Sequence, residues 1–437
     1  MYTRLSAPLT IQWELTSWCT YNCVHCYNYW RRTSTPKKVL TEEQLQAHRK
    51  ACQEIVDNKI FGVTLTGGEP LAVIEQLMPE LQFLHQNGVD LTVNTNLALL
   101  TPKMAKLLNS VGIHSVLTSL MSSDRAINDE IAQRKGAYAR TVKGIQLAIS
   151  LDFTVGVNMV VTQKNINTIY ETGKLAHELG AETFSATKAA KPTNCPDFSE
   201  YSITVQQLQH MFLELIRVRD DFGIKVDSLE HYPACVFPNT ETRTAFGGRN
   251  CSAAKTGCTI GFDGAIRPCS HCPISYGNVT TDGIKQSWVN MECWRDDSLV
   301  PLVCMTSCGE APNNCGGGCR IEAMNANLNL NGVDPFCMQM KPVTERILDE
   351  VIVLPEDCVV RLNRDVRFRE EAFGYIAYRG RNNKWVAMEP VLHDLLINSL
   401  NGGTIHVGDV AEIYQCPLDS ALETLNILKH LELITVL

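Results

Sequence analysis

Residues 9–26 read LTIQWELTSWCTYNCVHC. The apolar run from Leu9 to Leu15 predicts a strand. It leads into a loop that carries Cys19, Cys23 and Cys26, with three and then two residues between them. Three thiolates on one loop can hold three irons of a cubane cluster and leave the fourth iron open to a ligand. Zinc suits closely spaced cysteines too, provided a fourth ligand joins. His25 could serve, but it stands between two of the cysteines and would compete with them in geometry.

Outward from this loop the chain alternates. Thr41 to Asn58 predicts a helix, with Thr41 and Gln44 placed for a capping box. Phe61–Thr66 is strand-like and ends in Gly67-Gly68-Glu69-Pro70. A helix through His85 follows, then a strand over Leu91–Asn94 and a helix over Pro102–Ser110. Further strands are expected at His114–Leu120, Thr154–Val161 and Thr183–Ala186, with helices at Tyr138–Leu151 and Ile166–Leu179. Strand and helix alternating at this spacing predict an α/β fold, a parallel sheet with crossover helices and about six units before residue 230. Ligands of such sheets gather at the carboxyl ends of the strands. Both the cysteine loop and the Gly-Gly-Glu-Pro turn lie at such ends. Glycines let backbone approach a ligand, and a carboxylate can accept from an ammonium. By itself the turn would be ordinary.

Taken together, the two motifs resemble the radical S-adenosylmethionine (SAM) family. That family places CxxxCxxC after the first strand of a partial (β/α)6 TIM barrel and GGEP after the second. The resemblance implies that an open iron at Cys19, Cys23 and Cys26 chelates SAM through its amino and carboxylate groups. It also implies reductive cleavage of SAM to a 5′-deoxyadenosyl radical that takes hydrogen from a substrate. By the same resemblance His25 matches the family's aromatic or His position, and Gly67, Gly68 and Glu69 contact SAM. Asn96, in Asn94-Thr95-Asn96, matches the ribose-contacting strand end. Ser119 matches the serine of the family's fifth strand, and Arg134 a basic residue reaching the SAM carboxylate. The family's Ser-Leu-Asp-Gly is Ser119-Leu120-Met121-Ser122 here, and a solvated loop end is the plainer reading of Ser119 and Arg134.

Cysteine is the compositional outlier, with 18 copies in 437 residues, ten of them between 251 and 337. Disulfide scaffolds are short and secreted. This chain is long, and MYTRLSAPLTIQWELTSWC has no secretory n-region, h-region or cleavage site. A cytoplasmic location is therefore expected, and there clustered cysteines mean metal. Gly, Pro, Asn and Cys dominate 233–340, a composition expected to need staples in place of a conventional core. The pattern Cys251-x6-Cys258-x10-Cys269, then Cys304-x3-Cys308-x6-Cys315-x3-Cys319, then Cys337, resembles the SPASM extension of radical SAM peptide-modifying enzymes. Gly264 stands five before Cys269, as that extension requires, while two spacings of the close run are each one residue longer than usual. The resemblance implies two auxiliary 4Fe–4S clusters, making three in all. Cys251, Cys258, Cys269 and Cys319 would hold the first, and Cys304, Cys308, Cys315 and Cys337 the second. Two structural zinc ions are the alternative, and Cys272 could replace Cys269. Cys293 is surplus. Cys52, Cys195, Cys235, Cys358 and Cys416 read as ordinary thiols, although Cys195 or Cys235 could donate a hydrogen atom to a substrate radical.

After about 345 the texture changes. Short strands are expected at Cys358–Leu362, Val366–Arg369, Phe373–Tyr378 and Lys384–Met388, with the clearest turn at 380–383. Helices follow at Pro390–Leu400, Val407–Tyr414 and Leu418–Leu431, then a last ITVL strand. A small antiparallel sheet with three helices is winged-helix-like. Arg361–Leu437, with Phe373-Gly374-Tyr375-Ile376-Ala377-Tyr378, resembles the PqqD-like domains that bind a leader peptide as an added strand. A generic DNA-binding winged helix is the rival, but the net charge of −8 offers no basic field to nucleic acid or an anionic membrane. No run of about 18 apolar residues predicts a membrane span.

The expected organisation is 1–235 partial barrel, 236–344 SPASM domain and 345–437 recognition domain. The expected activity is radical SAM/SPASM maturation of a ribosomally made precursor peptide, most simply an oxidative cross-link. The expected partners are that peptide with its leader and an electron donor such as flavodoxin or ferredoxin. A peptide epimerase, a backbone-excising enzyme or a sulfatase-maturing enzyme would share the scaffold, and a zinc-stapled peptide-binding adaptor is the non-enzymatic alternative. No general base stands out among the His and acidic residues.

Overall fold

The computed structural model describes residues 4–28, 30, 38–193, 195, 197–308, 315–338, 354–355, 357–380, 384–400 and 404–437. The chain divides into two compact units, Ala7–Arg346 and Ile347–Leu437 with Thr3–Ser6. The expected boundary at 344/345 and most of the 380–383 turn lie outside the described residues.

The first unit runs β1 (Thr10–Glu14), α1 (Glu42–Asp57), β2 (Gly62–Thr66), α2 (Met78–Gln86), β3 (Asp90–Asn94), α3 (Pro102–Ser110), β4 (Ser115–Ser119), α4 (Arg125–Ile131), α5 (Ala137–Ser150), β5 (Thr154–Val161), α6 (Ile169–Glu178), β6 (Thr183–Lys188), α7 (Val205–Phe222) and β7 (Lys225–Asp227). β1 to β7 are neighbours in sequence order and all parallel. The Thr41 capping box forms as expected: Gln44 N donates to Thr41 Oγ1 at 3.2 Å, and Thr41 N to Gln44 Oε1 at 2.9 Å. α7 has the same device at Thr204 and Gln207.

Register separates two chemistries on this sheet. Trp13, Leu65 and Val93 are fully buried, on the face that the crossover helices cover. Gln12, Thr64 and Thr92 lie side by side on the other face and are exposed or half-buried. Further along, Ser119, Asn158 and Ser185 share a row. A closed parallel barrel fills its interior with branched apolar side chains. Here that face is polar, which suits a polar ligand.

The cysteine-rich region corrects one expectation. β8 (Gly257–Ile260) follows α8 (Thr240–Phe246) and pairs in parallel with β1, Thr10 with Gly257 and Trp13 with Ile260. β9 (Ala265–Arg267) and β10 (Gly277–Asn278) continue the sheet antiparallel, to ten strands. Ile260, Ile266, Val279, Ile284, Trp288, Met291 and Trp294 are buried. Together with α9 (Gly283–Asn290), α10 (Leu302–Ser307) and α11 (Arg320–Asn327), they give this region an apolar core. Its residues are spaced too irregularly to show a period, and its strand GCTI is short and buried on both faces.

The second unit comprises β11 (Val359–Leu362), β12 (Val366–Glu371), β13 (Gly374–Arg379), β14 (Lys384–Met388), α12 (Pro390–Leu400), β15 (Ile405–His406), α13 (Val407–Tyr414), α14 (Leu418–His430) and β16 (Ile434–Val436). In place of the single small sheet expected, it has two of three strands each. β12-β13-β14 is an antiparallel meander, while β11 lies between β15 and β16. Val360, Leu396, Ile405, Val410, Leu425 and Leu433 are among its core residues. No helix among the described residues is long and apolar enough to cross a membrane.

Candidate active site

The loop with Cys19, Cys23 and Cys26 leaves the carboxyl end of β1, and Gly67-Gly68-Glu69-Pro70 leaves that of β2. Backbone hydrogen bonds stitch the two together. Leu15 N donates to Thr66 O at 2.9 Å, Gly68 N to Thr16 O at 2.7 Å and Glu69 N to Trp18 O at 2.7 Å. Asn28 Nδ2 adds a bond to Gly67 O at 2.8 Å. The glycines are needed here for a reason the sequence did not disclose. A Cβ on Gly68 would lie 2.0 Å from Trp18 O, and one on Gly67, whose φ is +115°, 2.7 Å from Thr16 O. Their bareness admits the cysteine loop itself.

Glu69 is buried and accepts three hydrogen bonds, from Thr95 Oγ1 at 2.6 Å, Asn96 N at 3.0 Å and Leu71 N at 3.1 Å. Burial nevertheless pushes its carboxyl up to about 7. A carboxylate offers about four acceptor sites, so room remains for one more donor. Asn96 Nδ2 donates to Thr20 Oγ1 at 2.7 Å and reaches Cys19 Sγ at 3.7 Å, which ties β3 to the same loop. The far side of the loop is held by Asn22 N to Ala132 O at 3.1 Å and Val24 N to Ile131 O at 3.0 Å. Tyr21 donates to Ala137 O at 3.2 Å and lies 3.2 Å from Thr141 Oγ1. Cys19 and Cys23 pack against Tyr21, Ala132 and Ala137. The three half-exposed thiols thus sit on a loop held from three directions, a donor set that fits a cluster with one open iron.

His25 is buried, and its burial lowers its pKa to about 4, so the ring is neutral at pH 7. Ser119 is half-buried at the end of β4, the fourth strand of the sheet and not the fifth that the resemblance implied, and Arg134 is exposed beyond α4. Tyr21, Asn28, Thr95 and Thr141 are positioning residues that sequence reading missed. Nothing local marks them, because their partners lie on other segments.

The cysteine loop also meets the cysteine-rich region. The Tyr27 ring stacks on His271 with centroids 4.1 Å apart. Next to it, Arg267 forms a fully buried ion pair with Glu14 and donates to Ser270 O at 3.2 Å and Cys272 O at 3.0 Å. Burial pushes Glu14 up to about 7 against the pull of Arg267.

The remaining cysteines fall into neighbourhoods. Cys251 lies near both Cys269 and Cys319, and Cys258 is buried on β8. Cys272 lies beside Cys269 and Cys293. Cys304 has Cys337, Cys315 and Cys308 around it. Burial pushes the Cys258 thiol up to about 12 and the Cys304 thiol up to about 11, so forming thiolates there calls for a compensating cation. Among the described residues no three His, Cys, Asp or Glu side chains close up around a single ion. Cys315 Sγ accepts from Ala234 N at 3.3 Å and from the N–H groups of Gly317 and Gly318. Gly316, Gly317 and Gly318 all have left-handed φ. Such a nest of N–H donors suits a charged sulfur, so this group fits an iron–sulfur cluster.

One further constellation was invisible in the sequence. Lys188, at the end of β6, is buried with its Nζ 3.0 Å from both Glu230 Oε1 and Glu322 Oε1. It also lies over the Phe336 ring at 4.8 Å. Burial, with only partial relief from Lys188, pushes Glu230 up to about 8. Asp334 completes the group and accepts from Cys319 N at 2.7 Å.

Residues 13–176 match the family model of the Radical SAM superfamily. The chain therefore carries a radical SAM domain. An AdoMet-dependent heme synthase of Methanosarcina barkeri is 26% identical over 355 residues, covering 77% of this chain and 98% of that protein. Mycofactocin maturase MftC of Mycolicibacterium smegmatis is 26% identical over 347 residues, covering 77% of this chain and 84% of that protein. Among solved structures, Streptococcus suis SuiB bound to S-adenosylmethionine superposes with a TM-score of 0.58 at 17% identity, over 76% of this chain and 78% of that one. This last likeness is one of fold.

Proposed function

We propose that this chain is a radical SAM/SPASM maturase of a ribosomally made precursor peptide. The observation that carries it is the meeting of the Cys19–Cys26 loop and the Gly-Gly-Glu-Pro turn at one end of a parallel sheet whose open face is polar. With SAM bound at an iron–sulfur cluster on Cys19, Cys23 and Cys26, one-electron cleavage supplies the hydrogen-abstracting radical. Gly67, Gly68 and Glu69 hold the loop in place, and Glu69 has acceptor capacity for the SAM ammonium. Asn96 anchors the loop, His25 stays neutral within it, and Ser119 and Arg134 are the outer SAM contacts. The two cysteine groups, Cys251, Cys258, Cys269 and Cys319 with Cys304, Cys308, Cys315 and Cys337, hold auxiliary clusters. Such clusters would supply a site for the second electron removed from the substrate in an oxidative modification such as a cross-link, the first leaving with the abstracted hydrogen. A flavodoxin or ferredoxin would provide the electron for SAM cleavage.

In this reading 347–437 is the PqqD-like leader-binding unit. Its meander leaves β12 and β14 as sheet edges, where a peptide can add as a strand. The heme synthase matches just under four-fifths of this chain while being covered almost to its full length, so this chain has an extra portion to account for. MftC is by name a maturase, in keeping with the peptide reading.

Co-expression with a candidate precursor peptide, followed by mass spectrometry, is expected to show a net loss of two hydrogens in the core peptide. Deleting 345–437 is expected to weaken precursor binding at least tenfold and to spare uncoupled SAM cleavage. Unchanged affinity in the deletion would refute the leader-binding assignment. The heme synthase likeness supports a second reading, heme synthesis. A porphyrin product with no change in any peptide would decide for it.

A further inference from the structure

Cys235 belongs to no cysteine motif, yet the fold delivers it to the second group. It lies in the short turn Ala234–Val236, after β7 and before α8. Its Sγ is 3.9 Å from Cys337 Sγ and accepts from Met338 N at 3.3 Å. The preceding residue donates its N–H to Cys315 Sγ. His231 fixes the approach to this turn, with Nε2 2.7 Å from Cys315 O and Nδ1 2.7 Å from Arg249 O. Five thiols therefore share a neighbourhood in which a cubane has four irons to offer.

Which iron Cys235 addresses follows from its contact. Terminal sulfurs on different irons of a cubane point away from one another. Two thiols touching at 3.9 Å address the same iron. Each also has its own support: Met338 N–H aims at Cys235, and Cys337 N is anchored on Asp334 O at 2.9 Å. Neither has to move far to take the other's place.

We propose that Cys235 and Cys337 are interchangeable ligands to one iron of the second auxiliary cluster. The proposal rests on the reading of Cys304, Cys308, Cys315 and Cys337 as a cluster site. The exchange is redox-neutral. As the arriving thiol forms its Fe–S bond it gives up its proton, and the departing thiolate takes one up. The unbound partner stays against the bound one as an S–H donor. Such a site tolerates loss of either thiol and can present its iron in two ligand settings.

The test uses the full-length chain, reconstituted anaerobically, as wild type, Cys235→Ala, Cys337→Ala and the double variant. Iron per chain and the EPR spectrum of the dithionite-reduced protein are read together. Wild type is expected to hold about twelve irons, as three four-iron clusters require. Each single variant should keep that content, with a shifted EPR signal in Cys337→Ala. The double variant should lose about four irons, one cluster's worth. Far-UV circular dichroism and the SAM-induced change in the first cluster's EPR signal show that each variant is folded. Loss of the second auxiliary cluster in Cys337→Ala alone, or its retention in the double variant, would overturn the exchange. A wild type lacking a second auxiliary cluster would remove the underlying cluster reading, and the proposal with it.

Discussion

Replacing Cys19, Cys23 or Cys26 by alanine is expected to abolish SAM cleavage, with 5′-deoxyadenosine falling below detection in an anaerobic assay with excess reductant. Three thiols hold three irons, so loss of any one leaves a site that cannot keep a cubane with a single open iron. The effect should be confined to this site, because the loop's hold on the fold runs through other groups. Tyr21 still reaches Ala137 and Thr141, and Gly68 and Glu69 still bond to Thr16 O and Trp18 O. Auxiliary iron should therefore survive, and the variants should lose about four irons each. Gly68→Ala is the complementary test, since it keeps all three thiols. Its Cβ would fall 2.0 Å from a backbone oxygen, which cannot swing aside as a flexible side chain could. The loop must move, at a cost of about 1–3 kcal/mol typical of overpacking, and SAM cleavage should fall at least tenfold. Full activity in Gly68→Ala would show that the stitch between the two motifs is dispensable.

These two motifs were legible because each is local, with its residues a few positions apart on one loop. The same holds for the second unit. β14, α12 and α13 start and end where alternation and helical periodicity place them, because each pattern is complete within its own segment. β15 was missed because two residues cannot show a period. α7 was passed over although Thr204 and Gln207 carry the same capping signal that marked α1. What could not be read is what the fold assembles from afar. β8 lies beside β1, although most of the sheet separates the two in sequence. Cys235 reads as a stray thiol until the turn at Ala234–Val236 brings it to Cys337. The network of Lys188, Glu230, Glu322 and Asp334 was not legible for the same reason, since its members come from four separate segments.

That network carries the second large effect. Lys188→Met is expected to destabilise the chain by about 3–5 kcal/mol, the usual result of removing one partner from a buried ion pair. Three carboxyl groups would remain, two of which had Lys188 Nζ at 3.0 Å. The penalty should depend on pH, and its sign can be worked out. Burial raises Glu230 from 4.5 to about 8. The folded state therefore holds this proton more tightly than the unfolded state, and the contribution of Glu230 to stability falls as pH rises from about 4.5 to 8. In the wild type that loss ends at about pH 8, where Lys188 pairs with the carboxylate as it ionises. Burial sets this value with Lys188 in place, and without the cation the carboxyl is pushed higher still. Both folded proteins therefore keep this proton below about pH 8, so the gap between wild type and variant should stay level from about pH 5 to 8 and widen above about pH 8. Anaerobic denaturant titrations spanning both ranges measure it. Adding Glu230→Gln and Glu322→Gln to Lys188→Met should recover most of the stability at pH 8, because neutral amides need no counter-ion. A pH-independent gap, or no recovery in the triple variant, would mean that Lys188 acts through its packing against Phe336 and not through its charge.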